Sequence, residues 1–365
     1  MCKLRLIAMG AGAACVLIWV CAVRGGEPAT GEDYLSRGRE RYTSGDKKGA
    51  DADLTKAIEL NPSSDEAYNL RGNARWDLGD ASGAEQDYTK AIELNPRNSN
   101  AYCNRGSLRK QSASASAAMP DLDKAIELDP KYAYAYYMRG RCWIQKGDMK
   151  AAVADLSKSV KLDPKNASAY HNRGLVRLFE KDLKAAIPDF DKSIELDPKN
   201  GPNVLDRAVT HRMLGDLQKA LADYNKVLEL DPKNASGMAG RAETKRLLGD
   251  MSGAIADFSR ALELKPEDRS DELWCHTQRG AALTAVGNVA AGMEDFNFVL
   301  KAEPKNADAL FGRGAAELKQ GRQDAAKKDF DAAVAAQPNL KDKVAEELKR
   351  AAGGHAPAGQ SHTSH

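Results

Sequence analysis

The stretch Ala52–Pro62 reads ADLTKAIELNP, and close relatives of it recur along the chain. They include EQDYTKAIELNP (Glu85–Pro96), MPDLDKAIELDP (Met119–Pro130), VADLSKSVKLDP (Val153–Pro164) and IPDFDKSIELDP (Ile187–Pro198). Their closing prolines keep step: Pro62, Pro96, Pro130, Pro164, Pro198, Pro232 and Pro266 are each 34 residues apart. Pro304 follows after 38 and Pro338 after 34 more. Within one stretch, Leu54, Ile58 and Leu60 fall at helical spacing and predict an amphipathic helix. Proline then stops it, having no N–H to donate and disfavouring α geometry in the residue before it. A polar turn such as Lys165-Asn166 comes next, then a second helical segment such as SAYHNRGLVRLF (Ser168–Phe179). Gly-Asp turns such as Gly147-Asp148 close these segments. A fixed period of this length, with two helices in each unit, predicts a repeat array.

Counted from Gly31 as column 1, the columns align further. Tyr34, Tyr68, Tyr102, Tyr136 and Tyr170 share column 4, Gly or Ala fills columns 8 and 20, and Pro fills column 32. This pattern resembles the tetratricopeptide repeat, and nine units fit it: 31–64, 65–98, 99–132, 133–166, 167–200, 201–234, 235–268, 273–306 and 307–340. The resemblance implies an all-α fold, a right-handed superhelical solenoid of antiparallel helix pairs. Residues 341–352, within the stretch LKDKVAEELKRAA that starts at Leu340, would form a C-terminal capping helix.

Small residues fill one column at Gly38, Gly72, Gly140, Gly174 and Gly314, and another at Ala50, Ala84, Ala152 and Ala186. Both are expected where the helices of a unit approach closely, so that a larger side chain would force them apart. Column 7, usually leucine in the family, is arginine from Arg37 to Arg313, and column 23 is aspartate from Asp53 to Asp329. The paired departure predicts a bidentate Arg–Asp bridge between the helices of each unit. Ligand-binding arginines along a groove are the alternative. Pro120 and Pro188 are expected in the first turn of second helices, where N–H groups lack partners. Repeat 3 replaces the Gly-Asp turn by Gln111–Met119, expected to be the most flexible inter-helix turn of the array. The four extra residues after Pro266 imply a longer loop or a first helix extended by one turn.

Residues 1–22 begin with Lys3 and Arg5 ahead of an uncharged run, as an export signal does. An uncleaved anchor is the alternative, with 23–30 as linker. Either way the repeats are expected outside the cytoplasm, periplasmic, extracellular or membrane-anchored. Without residues 1–22 the basic and acidic residues balance at 52 each. That excludes the concentrated positive charge of general nucleic-acid binding and leaves membrane contact to the N-terminal segment. Cys103, Cys142 and Cys275 are odd in number and form no CxxC, so they read as buried apolar residues. Two Asn-Ala-Ser sequons, at Asn166 and Asn234, arise from the repeat turn itself. The tail 353–365 reads as disordered, and its His355, His362 and His365 lack the supporting ligands of a metal site.

The family's first helices line a groove through columns 2, 5, 9, 12 and 13. The resemblance therefore places Asn69, Asn73, Trp76, Asn104, Lys110, Tyr134, Tyr137, Arg141, Gln145, His171 and Phe179 on or near that surface. Aromatic and Arg side chains supply contact area at low entropic cost, and asparagines pair with an extended backbone. The carboxylate clamp of chaperone-binding relatives is not matched: Asn73 and Asn104 fit its asparagines, but Asn69, Tyr134 and Met138 stand where cations are required. No phosphate loop, HExxH or nucleophile elbow is found, and no cofactor is implied. The chain reads as a non-catalytic scaffold or adaptor that holds a protein or extended peptide. The alternative is a self-assembling structural component of the cell envelope.

Overall fold

The computed structural model describes residues 30–266 and 268–353. The expected export signal, and the tail from residue 354 with its histidines, lie outside the described residues. Among those described, every regular element is a helix and no strand occurs. None of the helices is long and apolar enough to cross a membrane.

The chain divides after Leu108 into two compact units. The first holds α1 (Gly31–Ser44), α2 (Lys47–Leu60), α3 (Asp65–Asp77) and α4 (Ala81–Leu94). The division falls within α5 (Ser99–Ser112). The second unit continues with α6 (Ala115–Leu128), α7 (Ala133–Lys146), α8 (Met149–Leu162), α9 (Ala167–Phe179), α10 (Leu183–Leu196), α11 (Gly201–Leu214) and α12 (Leu217–Leu230). It ends with α13 (Ala235–Leu247), α14 (Met251–Glu263), α15 (Arg269–Ala285), α16 (Val289–Ala302), α17 (Ala307–Lys319), α18 (Gln323–Ala336) and α19 (Lys341–Gly353). In the first unit α1 packs antiparallel on α2 and α3 on α4, and in the second the same pairing runs from α7 on α8 to α17 on α18, making a solenoid of pairs. In the second unit the first helices also pack on one another from α7 through α9, α11, α13 and α15 to α17, and α19 caps α17.

The repeat turns explain the helix boundaries. Second helices such as α2, α4 and α8 end at Leu60, Leu94 and Leu162, and their caps Asn61, Asn95 and Asp163 leave helical geometry ahead of the proline. First helices open on asparagine caps: Asn166 Oδ1 accepts from Ala169 N at 2.9 Å and Asn234 Oδ1 from Gly237 N at 2.7 Å. Both sequon asparagines are thus engaged in holding helix starts. Gly147 and Gly215 close α7 and α11 at φ of 79° and 82°, and Lys181 adopts 62° at the same column of its repeat.

Three sequence expectations are refined. Pro120 and Pro188 lie inside α6 and α10, five residues past Ala115 and Leu183, rather than in the first turn. Both prolines are exposed, as are Ser116 and Lys184, the residues whose carbonyls lose a donor, so water can satisfy those carbonyls. The Gln111–Met119 segment is mostly helix, and the turn is only Ala113-Ser114, where Ser114 Oγ accepts from Ala117 N at 3.2 Å. After Pro266 the extension lengthens a helix: α15 runs 17 residues against 13 in α13 and α17.

The steric column is explicit. A Cβ added at Gly38 would lie 2.8 Å from Leu54 Cγ, at Gly72 2.6 Å from Tyr88 Cε1, and at Gly314 2.9 Å from Phe330 Cδ1. Leu54, Tyr88, Phe190, Tyr224, Phe258, Phe296 and Phe330 are the largest core side chains, essentially without exposure. Burying each stabilises its repeat by about 2–3 kcal/mol. Cys103, Cys142 and Cys275 are buried, and burial pushes the Cys275 thiol up to about 12.

The Arg–Asp bridges are bidentate. Arg37 donates through Nε and Nη2 to Asp53 at 2.7 and 2.6 Å, Arg173 to Asp189 at 2.9 and 2.6 Å, and Arg313 to Asp329 at 2.6 and 2.8 Å. The same geometry recurs at Arg71–Asp87, Arg139–Asp155, Arg207–Asp223, Arg241–Asp257 and Arg279–Asp295. The third guanidinium nitrogen, Nη1, reaches the second helix of the preceding repeat. It donates to Thr55 from Arg71 at 3.2 Å, to Asp123 from Arg139 at 2.8 Å and to Asn225 from Arg241 at 3.0 Å. The arginine therefore ties neighbouring repeats as well as its own two helices. A further cation often joins the aspartate: Arg41 at Asp53, Arg177 at Asp189 and Lys245 at Asp257, each at 2.8 Å.

These bridges carry a pH dependence. Burial alone would raise the Asp257 and Asp295 carboxyls, but the Arg241 and Lys245 bonds on one, and the Arg279 and His276 bonds on the other, bring both below the ordinary value. A carboxyl depressed in the fold contributes its full stability above its unfolded pKa and loses it as pH falls through the folded value. Thermal melts followed by circular dichroism are expected to hold steady near neutrality and drop below about pH 4. Asp257→Asn and Asp295→Asn should each lower the neutral-pH melting temperature and flatten that acid limb. An unchanged acid limb in both would show that the bridges do not govern it.

Candidate functional site

The proposed groove residues fall into two sets, one in each unit. In the first unit, α3 presents Asn69, Asn73 and Trp76, and α5 presents Asn104. Tyr88 Oη donates to Asn73 Oδ1 at 2.8 Å, which fixes that amide's orientation. Asn104 Nδ2 then donates to both Asn69 Oδ1 and Asn73 Oδ1 at 3.0 Å. Asn69 is buried, so the asparagines chiefly satisfy one another across successive first helices. Trp76 is half-buried against the Ala84, Tyr88 and Leu108 cluster.

In the second unit the side chains of α7 form a more open patch. Tyr134 is 41% exposed, its ring centroid 5.9 Å from that of Tyr137. The Arg141 guanidinium lies over the Tyr137 ring at 5.6 Å. The order Tyr137–Arg141 is an i, i+4 spacing, which sets the two on one helix face. Tyr137 also packs on Ala152, Leu156 and Val176, which holds its ring in place. Lys110 lies within electrostatic reach of Arg141: partial burial, then the Arg141 charge, depress its ammonium pKa. Two cations and two tyrosines therefore converge, a surface suited to an extended acidic or aromatic segment.

The remaining candidates stand apart. Gln145 is exposed one turn beyond Arg141. His171 Nε2 is 2.7 Å from Asp206 Oδ2 and its ring packs near Phe190, so it ties α9 to α11. Phe179 is 73% exposed at the last residue of α9. Among the described residues no group of three or more His, Cys, Asp or Glu side chains is placed to hold a metal ion.

Sequence reasoning missed a cleft of about 940 Å3 among α11, α13 and α15. Its floor opens because α13 carries Ala239 and Gly240 at columns where α7 and α11 carry Tyr137-Met138 and Leu205-Asp206. A Cβ at Gly240 would lie 2.3 Å from Tyr224 Cε1, so the Tyr224 ring rests directly on the α13 backbone. The signal was this pair of small residues, which carries no chemistry of its own.

Sequence comparison agrees with this repeat geometry. Models of the tetratricopeptide repeat match residues 35–99, 99–132, 167–200, 205–234 and 277–340, and a TPR-repeat model matches 144–178. The chain is a tetratricopeptide-repeat protein. It is built of roughly nine paired-helix repeats. No curated protein matches the sequence significantly. Among solved structures, PilF of Pseudomonas aeruginosa is 20% identical, with 58% of this chain and 97% of that one covered and a TM-score of 0.54. The type IV pilus biogenesis factor PilW is 20% identical, with 55% and 94% covered and a TM-score of 0.51. YrrB, described as a TPR protein with an unusual peptide-binding site, is 24% identical, with 51% and 95% covered and a TM-score of 0.44. At these identities the likeness concerns the fold alone.

Proposed function

We propose that this tetratricopeptide-repeat protein acts outside the cytoplasm as a scaffold, holding a partner's extended segment on the first-helix surface of repeat 4 and the adjoining end of α5. The observation that carries the site is the open Tyr134–Tyr137–Arg141 stack beside Lys110. It offers rigid aromatic area and cations that the Arg–Asp bridges do not use. The export reading rests on the charged start and apolar run of residues 1–22. Affinity capture from the envelope fraction, with the wild type and with Tyr134, Tyr137 and Arg141 all replaced by Ala, tests the site. A partner should be lost from the variant while helicity is retained, and an identical partner set would remove the patch from consideration. Fractionation with N-terminal sequencing tests export, and an intact N-terminus in the cytoplasm would overturn it.

A second reading, self-assembly, is favoured by exposed apolar side chains at the ends of successive first helices: Phe179, Met213, Leu247 and Val286. Light scattering that grows with concentration, and that falls on Phe179→Ser and Leu247→Ser, would support it. A constant monomer mass at high concentration would exclude it.

A further inference from the structure

We infer that the cleft among α11, α13 and α15 is a second binding site, taking an apolar side chain together with an adjoining carboxylate from a protein segment. The argument starts from Arg212. It is half-buried and lines the cleft, and its Nε donates to Tyr224 Oη at 3.4 Å. Among the described residues no carboxylate forms an ion pair with it. The contrast with α13 is direct. There Arg246, at the equivalent column, makes a bidentate pair with Glu243 three residues earlier, both bonds at 2.8 Å. In α11 the position of that glutamate is held by Val209. The substitution leaves a cation facing the cleft and sets an apolar side chain beside it. A partly desolvated guanidinium without a counter-charge favours a ligand carboxylate, which can accept two of its N–H groups.

The acids around the cleft form no ion pair with Arg212, and three of the four are bonded elsewhere. Asp206 Oδ2 is 2.7 Å from His171 Nε2. Asp231 Oδ1 accepts from Lys233 N at 3.0 Å. Asp268 caps α15, accepting from Ser270 N at 2.8 Å and Ser270 Oγ at 2.6 Å. Asp271 sits in the first turn of α15, where the helix dipole favours it. The apolar part of the ligand has a place too. Leu205, Val209 and Ala239 form the floor, and Trp274, 37% exposed, stands on the wall with its ring edge-on to Phe258 at 5.7 Å. The one-turn extension of α15 forms part of the rim through Asp271, which precedes Trp274.

This site is separate from the Tyr134 patch, so either can fail without the other. The test uses the full chain and three sets of N-acetylated hexapeptides, with binding read by calorimetry and by the Trp274 indole N–H in NMR. In the first set Leu, Ile, Met or Phe precedes Glu and the C-terminus is amidated. The second set replaces Glu by Gln. The third keeps Gln and frees the C-terminal carboxylate. At least one carboxylate-bearing peptide is expected to bind, shift the Trp274 signal, and bind about tenfold more tightly than its neutral match. The first set binding best identifies a side-chain carboxylate as the source, and the third identifies a chain terminus. Arg212→Gln should erase the preference. Val209→Glu should erase it too while keeping the arginine, by supplying the counter-charge that Glu243 gives Arg246. Circular dichroism melts would confirm that both variants fold. Three results would overturn the inference: no peptide shifting Trp274, equal binding of charged and neutral peptides, or a preference that survives both substitutions.

Discussion

Asp189→Ala is expected to destabilise its repeat by about 3 kcal/mol. The Asp189 side chain is 3% exposed, and it accepts two bonds from Arg173 and one from Arg177 at 2.8 Å. Removing it leaves two guanidiniums facing an apolar pocket. Their own exposure, 15% for Arg173 and 26% for Arg177, lets water offset part of the loss, so the cost stays at the lower end for a broken buried pair. Arg173→Ala should cost less, because Arg177 still neutralises the aspartate, although the Nη1 bond to Ser157 at 3.1 Å is lost as well. The double variant should be less damaging than the two single changes added together, by 1 kcal/mol or more, on the order seen for coupled charges. Each repeat touches only its neighbours, so the effect is local. Amide exchange should accelerate across α9, α10 and the adjoining helices and stay unchanged in α1 and α2. Simple additivity of the two changes would show that the pair is not a unit.

How much of this was legible beforehand differs by residue. The helix pairs, their stops and the Arg–Asp bridge could all be read, because each repeats at one column and a constraint shared by every unit must belong to the array itself. The inter-repeat reach of Nη1 could not. Its partners vary, Thr55, Asp123, Ser157 and Asn225 among them, and share only a polar side-chain oxygen. The prolines were placed a few residues early because column counting fixes position along the chain, not the residue at which a helix begins. For the sites the limits are sharper. Asn69, Asn73 and Asn104 have the composition of a peptide-binding ladder, yet packing turns their amides toward one another and toward Tyr88. His171 similarly belongs to Asp206, a residue one repeat away whose contact no spacing rule announces. The cleft depended on what is absent from a column, a glutamate at Val209 and large side chains at Ala239 and Gly240, and absence leaves no motif.

The column of small residues yields the second large effect. Gly174→Val should destabilise its repeat by about 3 kcal/mol, whereas Gly174→Ala should be nearly neutral. The Gly174 Cβ position lies 2.8 Å from Phe190 Cε1 and 3.0 Å from Cδ1, so any added carbon requires the ring to retreat. The array itself shows how far it can. Ala208 and Ala242 occupy the same column opposite Tyr224 and Phe258, and all four are fully buried. A single methyl is therefore accommodated, and the better helix propensity of alanine, worth up to about 1 kcal/mol, offsets the residual strain. Valine adds two further methyls with one strongly preferred rotamer in a helix, so they cannot both swing clear of the ring. The interhelical contact of α9 with α10 must then open, and the Arg173–Asp189 bridge, one residue away on both helices, would lengthen with it. Phe190→Leu should restore at least half of the loss in the valine variant, since Leu54 and Leu156 already fill that column opposite Gly38 and Gly140. Denaturant unfolding of the four proteins decides the matter. If valine proves as stable as alanine, or leucine gives no rescue, close approach at this column is not what the glycine provides.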